Sequence, residues 1–146
     1  MKISSRGIEL IKSFEGLVTT AYRCQAGVLT IGYGHTYNVY QGQTISREEA
    51  EQLLARDLVW AEECVSSKVK KPLNQNQFDA LVSFVFNVGP TNFHNSTLLR
   101  VINADPGNYD AVVRQLKRWN HAGGVISKGL TRRRDAEAKL YTCNVD

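Results

Sequence analysis

The chain has 146 residues, of which 42% are hydrophobic and 22% charged, and its formal net charge is +4. These values are typical of one soluble globular domain with a basic surface that favours an anionic partner. No segment is apolar enough over a sufficient length to span a membrane or to act as a signal peptide, and three widely spaced cysteines without a CxxC pair argue against a disulfide framework and against zinc.

The first predicted element is an N-terminal helix. Ser4 or Ser5 can cap it, apolar residues recur at near-helical spacing, and Gly16 ends it. Glu15 is therefore predicted to lie at the helix C-terminus, where the negative end of the helix dipole disfavours a carboxylate charge.

Strand-forming residues punctuated by glycines follow this helix. Residues 19–45 predict a small antiparallel sheet, with Gln41-Gly42 at a turn. The same segment carries Cys24, Thr30 and His35. The segment from Glu15 to His35 thus holds a candidate acid, a candidate base and a glycine-rich backbone that a ligand could approach closely. This combination points to an enzyme.

A long helix is predicted after the sheet. Ser46 and Glu49 form a capping-box signature, and apolar residues continue at helical spacing to about Val65. At 1.5 Å per residue such a helix would extend roughly 30 Å, which is long enough to connect two lobes.

The second half of the chain is predicted to be helical. A helix that is apolar nearly all round begins at Asn74 or Gln75 and ends at Gly89-Pro90, so we expect it to be the central buried helix. Shorter helices and one flexible, glycine-marked loop are expected beyond it: helices Ser96–Asn103, Tyr109–Trp119 and Thr131–Tyr141, and a loop with Gly123-Gly124 and Gly129.

Several polar residues allow more than one interpretation. Cys24 could pair with His35 in a Cys–His hydrolase such as a peptidase, although no orienting third group is identifiable. Asn87 either caps the apolar helix or projects towards a ligand. The Arg132–Arg134 run is either a solvated face with packed stems or an anion contact, and no nucleic-acid-binding motif accompanies it.

A series of short blocks is shared with one known family. These blocks are Glu15-Gly16, Ala21-Tyr22, Gly27, Thr30–His35, Pro72–Leu81, Phe86–Gly89, Ser96–Leu98, Gly129-Leu130, Arg132-Arg133 and Glu137. Together they resemble the phage-type lysozymes, which are the muramidases of glycoside hydrolase family 24. The resemblance extends over nearly the whole chain, and its most specific part is the EG…TIGYGH pattern.

This resemblance implies an α+β, lysozyme-like and mainly helical fold over the single domain 1–146. A small antiparallel sheet lobe (about 15–58) and a larger helical lobe (about 66–146 plus the N-terminal helix) would flank a glycan cleft, joined by the long helix. The implied reaction is cleavage of the β-1,4 bond between N-acetylmuramic acid and N-acetylglucosamine, without a metal or other cofactor.

The resemblance also implies the site. Glu15 corresponds to the family's general acid and Thr30 to its threonine, while Cys24 stands where the best-studied members have Asp. We expect Cys24 to act as a base or to orient water with Thr30, rather than as a nucleophile. Substrate-binding residues are expected at His35, Gly34, Phe86, Asn87 and Ser96.

Two other functions remain open from the sequence, a lytic transglycosylase and a non-catalytic peptidoglycan-binding module. The expected partner is bacterial peptidoglycan, with no nucleic acid and no stable membrane insertion. We expect a monomer that accumulates in the host cytoplasm and reaches the periplasm or cell wall through a separate holin, causing host-cell lysis.

Overall fold

The structure is a computed structural model that describes residues 1–143. Within that range the chain forms eight α-helices and four short β-strands, which confirms the mainly helical α+β prediction. In chain order the elements are α1 (Ser5–Glu15), β1 (Val18–Arg23), β2 (Leu29–Gly32), α2 (Arg47–Asp57), α3 (Val59–Lys68), α4 (Gln75–Val88), α5 (Pro90–His94), α6 (Thr97–Ala104), α7 (Tyr109–Lys117), β3 (His121–Ala122), β4 (Val125–Ile126) and α8 (Lys128–Tyr141).

The chain divides into two compact units. The sheet unit is Ile11–Trp60, and the helical unit combines Met1–Leu10 with the residues from Ala61 onward. The division passes through α1, between Leu10 and Ile11. The lobe boundaries drawn from the sequence, 15–58 and 66–146, stay a prediction, and residues 144–146 of the predicted helical lobe lie outside the described residues.

The sheet unit contains the predicted antiparallel sheet. Strands β1 and β2 pair with Tyr22 opposite Thr30, and the register shifts between Val18 and Tyr22. Beyond β2 the chain folds back tightly, because Ile31 and His35 exchange two backbone hydrogen bonds of 2.9 Å. Gly42 has a φ of +84° in a turn, as predicted for Gln41-Gly42.

The predicted long helix is interrupted. Its capping box is present, with the Glu49 amide donating to Ser46 Oγ at 3.1 Å, but α2 ends at Asp57 and α3 begins at Val59. The amide of Leu58, between them, donates to the carbonyls of both Arg56 and Leu54. Neither glycine nor proline marks this break, so the uninterrupted apolar spacing of the sequence did not reveal it.

The helical unit is built around α4, as predicted. Every residue from 76 to 85 is buried, and Asn74 caps the helix through a 2.8 Å hydrogen bond from the Gln77 amide. Gly89, with a φ of +93°, ends α4. Pro90 then starts the short helix α5. The sequence did not predict this helix, because Pro90 was interpreted only as the end of α4 and not as a first helical residue.

The C-terminal part differs from the prediction at two points. Helix α8 begins at Lys128 rather than Thr131, because Ser127 Oγ caps it by accepting the Leu130 amide at 3.1 Å, so Gly129 lies within the helix. Gly123 and Gly124 form the turn of the β3–β4 hairpin instead of a flexible loop. Both have positive φ, which suits a tight hairpin turn.

Candidate active site

Glu15 is the last residue of α1 and is half-buried. The helix ends there because Gly16 adopts a φ of +72° while its amide still donates to the Lys12 carbonyl at 3.0 Å. Glycine takes this left-handed conformation at no steric cost. The carboxyl group therefore lies at the C-terminal, negative end of the helix dipole.

Gly34 lies directly against the Glu15 carboxyl group. A Cβ atom built on Gly34 would be 3.4 Å from Glu15 Oε2, and the φ of Gly34 is +83°. The missing side chain thus leaves room beside the carboxyl oxygen. The exposed Gly34 backbone is also available for a ligand to approach closely.

Cys24 and Thr30 lie at the turn end of the β1–β2 hairpin. The Cys24 amide donates to the Val28 carbonyl at 3.0 Å, and the Gly27 amide donates to the Cys24 carbonyl at 2.8 Å. Thr30 is only 4% exposed, and its hydroxyl donates to the same Val28 carbonyl at 3.0 Å. The turn therefore fixes the backbone on both sides of the thiol.

The surroundings of Cys24 favour its thiolate. Hydrogen bonding from the backbone amides of Val28 and then Ala26 lowers the pKa of the Cys24 thiol, and the Thr30 hydroxyl acts in the same direction against the effect of partial burial. The Thr30 hydroxyl can donate either to the thiolate or to the Val28 carbonyl, but not to both. Cys24 thus has the electrostatic support that a base requires and that the sequence alone did not reveal.

Both ring nitrogens of His35 are engaged within the sheet unit. Nδ1 is 2.8 Å from Asp57 Oδ2, and Nε2 is 2.7 Å from the Tyr37 carbonyl oxygen. These contacts hold the tight 31–35 turn to the end of α2. They leave the ring no free nitrogen for Cys24, which removes the basis of the Cys–His alternative. The substrate contact predicted for His35 stays a prediction.

Asn87 and Phe86 lie at the end of α4 in the helical unit. Asn87 is exposed, and its Oδ1 accepts a 2.9 Å hydrogen bond from Arg134 Nη2, while Phe86 is half-buried. Asn87 lines a cavity of about 430 Å³ together with Val88, Asn92, Arg118, Trp119, His121 and Leu130.

Ser96 has a structural role in the helical unit. Its side chain is buried, and its Oγ donates to the Phe93 carbonyl at 2.7 Å and accepts the Leu99 amide at 3.0 Å. Ser96 is the N-cap of α6, so its hydroxyl is already used within the fold. It borders a second cavity of about 330 Å³, which also includes Arg118 and Trp119.

Two residues of the arginine run are buried, whereas Arg132 is exposed. Arg133 and Arg134 are 4% and 0% exposed, and both pair with the fully buried Glu137. Burial raises the pKa of the Glu137 carboxyl, while the two guanidinium groups act in the opposite direction. The i+3 and i+4 spacing of these charges on α8 was the sequence signal that could have indicated the cluster.

Residues 1–143 contain neither a helix that could cross a membrane nor a cluster of metal-ligating side chains. None of the described helices is long and apolar enough to cross a membrane. No group of three or more histidine, cysteine, aspartate or glutamate side chains in that range is arranged to hold a metal ion.

Comparison with known proteins places this site in a family. The Phage lysozyme family profile matches residues 12–137. The endolysin of Acyrthosiphon pisum secondary endosymbiont phage 1 is 42% identical over 146 residues, covering 97% of this chain and 98% of its own. The SAR-endolysin of Bacteriophage PS119 is 40% identical over 124 residues, covering 84% of this chain and 73% of its own.

A solved structure agrees with these relatives. The muramidase domain of SpmX from Asticaccaulis excentricus superposes with a TM-score of 0.91 at 41% identity, covering 98% of this chain and 99% of that domain. The fold and the site therefore define a lysozyme-type hydrolase. The chain belongs to the phage lysozyme family.

Proposed function

We propose that this protein is a peptidoglycan hydrolase of the endolysin type that cleaves the β-1,4 bond between N-acetylmuramic acid and N-acetylglucosamine. The observation that carries the proposal is the arrangement of the sheet unit. It combines the half-buried Glu15 carboxyl beside Gly34 with a thiol whose pKa is lowered beside Thr30. An acid and a base of this kind are the two groups that glycoside hydrolysis requires.

Glu15 is proposed as the proton donor. Cleavage of a glycosidic bond requires a proton on the leaving oxygen, and a carboxyl group such as that of Glu15 can supply it. Because Gly34 has no side chain, the leaving oxygen can approach Glu15 Oε2 from that side.

Cys24 and Thr30 are proposed to act on the attacking water. The thiolate accepts a proton from water as the oxygen bonds to the sugar C1, and the Thr30 hydroxyl orients that water. This role is that of the second carboxylate in inverting glycosidases. A lytic transglycosylase would not need this group, because the 6-hydroxyl of muramic acid replaces water, so the lowered pKa of Cys24 favours hydrolysis.

The substrate-binding residues are proposed in two groups. The Gly34 backbone contacts the glycan beside Glu15, while Phe86 and Asn87 contact it in the helical unit. His35 positions the turn that carries Gly34, and Ser96 shapes its cavity by capping α6. No cofactor or metal is part of this mechanism.

The cellular role follows from the reaction. We propose that the protein acts as a monomer, degrades the host cell wall and thereby releases phage, after synthesis in the cytoplasm and passage through a holin-dependent membrane lesion. Expression in Escherichia coli without a holin should leave cells intact until chloroform permeabilises the membrane. Lysis without chloroform would contradict holin dependence and leave the enzymatic proposal standing.

The bond specificity is tested by identifying the new reducing end. Purified peptidoglycan is digested, reduced with borohydride and hydrolysed in acid. Muramitol as the product supports the proposed bond, and glucosaminitol would show that the other β-1,4 bond is cut. A Glu15→Gln sample is the control, and failure of the wild-type protein to release any soluble fragment would favour a non-catalytic binding module.

A further inference from the structure

The buried Arg134 hydrogen-bonds to two residues that line the cavity of about 430 Å³, Asn87 and Trp119. Arg134 is 0% exposed, and its Nη2 donates to Asn87 Oδ1 at 2.9 Å. Its Nη1 donates to the Trp119 backbone carbonyl at 3.4 Å. Asn87 lies in the last turn of α4 and Trp119 follows α7. One guanidinium group therefore contacts two lining residues of the same cavity that come from different parts of the chain.

The guanidinium group is itself fixed by its surroundings. Arg134 Nε is 2.8 Å from Glu137 Oε1, and the guanidinium carbon lies 4.9 Å from the centre of the Phe84 ring. Phe84 in turn packs edge-on against the Trp119 indole, with ring centres 5.7 Å apart. Arg134 therefore has little freedom to release Asn87 or Trp119 when a ligand binds.

The chemistry of arginine determines which way the Asn87 amide points. A guanidinium group only donates hydrogen bonds, so the carbonyl oxygen of Asn87 must face Arg134. The NH₂ group of Asn87 is then directed away from Arg134. The opposite orientation would place two donors against each other in a partly buried contact.

Asn92, on α5, completes the arrangement. Its Nδ2 donates to the Val88 carbonyl at 2.8 Å, which leaves its carbonyl oxygen as the remaining group. Asn87, Asn92 and Trp119 line the same cavity, so its lining residues include one side-chain N–H donor and one side-chain carbonyl acceptor that these hydrogen bonds do not use. An amide group, which carries one acceptor and one donor, is the complementary ligand.

We propose that Arg134 is a positioning residue that fixes the Asn87 amide beside Trp119, so that this cavity recognises an amide group of peptidoglycan. The inference rests on the proposed function and adds to it the chemical group that is recognised. Peptidoglycan offers two sources of that group, the N-acetyl substituents of the sugars and the amides of the stem peptides. The cavity would select against a substrate from which the relevant amide has been removed.

The test measures binding separately from cleavage. In a Glu15→Gln background, dissociation constants are measured by tryptophan fluorescence for two probes, peptide-free glycan strands and glycan strands that carry stem peptides. The added substitution Asn87→Asp replaces the donor with an acceptor while leaving an oxygen for Arg134. It should weaken binding of at least one probe by about tenfold, the scale of one buried group left without its partner.

The two probes distinguish the sources of the amide. Weakened binding of the peptide-free strands identifies the N-acetyl group, and weakening confined to the peptide-bearing strands identifies a peptide amide. Unchanged affinity for both probes would overturn the proposal. Whether the proposed function itself fails is decided separately, by release of soluble fragments from peptidoglycan by the wild-type protein.

A double-mutant cycle tests whether Arg134 acts through Asn87. Arg134→Lys keeps a positive charge beside Glu137 but loses the planar group that reaches Asn87 and Trp119. It should weaken binding about fivefold in the Asn87 protein and less than about twofold in an Asn87→Ala protein. Equal losses of binding affinity in both backgrounds would mean that Arg134 has only a general structural role. If Arg134→Lys does not fold by circular dichroism, the Asn87→Asp result decides the proposal.

Discussion

At the scale of single residues, the proposed chemistry is assigned to Glu15 and Cys24, which the fold places in different environments. Glu15 is half-buried at the C-terminal end of α1, whereas backbone amides from the hairpin turn lower the pKa of the Cys24 thiol. General acid–base catalysis needs one group that supplies a proton and one that accepts it.

Glu15→Gln should abolish activity without unfolding the protein. Glutamine has nearly the same shape as glutamate but cannot deliver a proton, so kcat should fall by about 10²–10⁴-fold, the usual contribution of a general acid. Clearance of a peptidoglycan suspension measures the loss, and the thermal midpoint serves as the control. Wild-type clearance by this variant would show that Glu15 is not the proton donor.

Substitution of Cys24 should change the pH profile in a defined direction. In the proposed mechanism the thiolate is the active form, so kcat/KM should rise with pH through the pKa of the Cys24 thiol, which backbone hydrogen bonds lower from its ordinary value. In Cys24→Asp this rise should move to lower pH, because a carboxyl ionises near 3.9.

Serine and alanine provide the matched controls for this profile. Cys24→Ser and Cys24→Ala should be much less active and should lack the limb that the thiol contributes. If Cys24→Ala kept full activity with the same limb, Cys24 would have no chemical role.

At the scale of elements, the tight turn after β2 brings the backbone close to Glu15. Its geometry depends on Gly34 in the left-handed region and on His35, which is hydrogen-bonded to Asp57 and to the Tyr37 carbonyl. The turn is therefore held from the end of α2, and a change in the turn is transmitted to the space beside the carboxyl group.

Gly34→Ala should impair catalysis more than its effect on stability explains. Alanine at this φ costs about 1–2 kcal/mol, and its Cβ would lie 3.4 Å from Glu15 Oε2. The matched control is Gly42→Ala, at a φ of +84° with no atom within 4 Å of the added Cβ. Urea unfolding should show similar losses for both variants, while only Gly34→Ala loses activity. Equal activity in the two variants would mean that the space beside Glu15 is unimportant.

The sequence predicted the elements best where capping and apolar spacing agreed. The Ser46 and Asn74 caps are present, and the central buried helix lies where its apolar residues placed it. The break at Leu58 was missed because no glycine or proline marks it, and the helix that starts at Pro90 was missed because proline can begin a helix as well as end one. For the site, resemblance indicated Glu15 and Thr30, but the lowered pKa of Cys24 depends on backbone amides that only the folded hairpin turn brings together.

At the scale of the whole molecule, the buried charge cluster of Arg133, Arg134 and Glu137 on α8 stabilises the helical unit. Arg134 also contacts Asn87, which lines the cavity of that unit. Glu137 receives hydrogen bonds from Ser83, Arg133 and Arg134 and is 0% exposed. This cluster connects α8 with α4 through side chains that have no access to water, so its loss should affect folding of the entire helical unit.

Glu137→Ala should be strongly destabilising. It leaves two buried guanidinium groups without their carboxylate, a change that typically costs about 3–5 kcal/mol of unfolding free energy. Urea denaturation measures the loss, and Glu63→Ala, at an exposed position on α3, should change stability by less than about 0.5 kcal/mol. Similar stabilities for the two variants would contradict a structural role for the cluster.

In the proposed mechanism, Glu15 begins the cleavage and water activated at Cys24 and Thr30 completes it. Digestion of purified peptidoglycan in H₂¹⁸O, followed by mass spectrometry of the released fragments, tests this most directly. We predict fragments with an ordinary reducing-end muramic acid that contains one ¹⁸O atom. Fragments lighter by one water, with an anhydro end and no ¹⁸O, would contradict the account and identify a lytic transglycosylase.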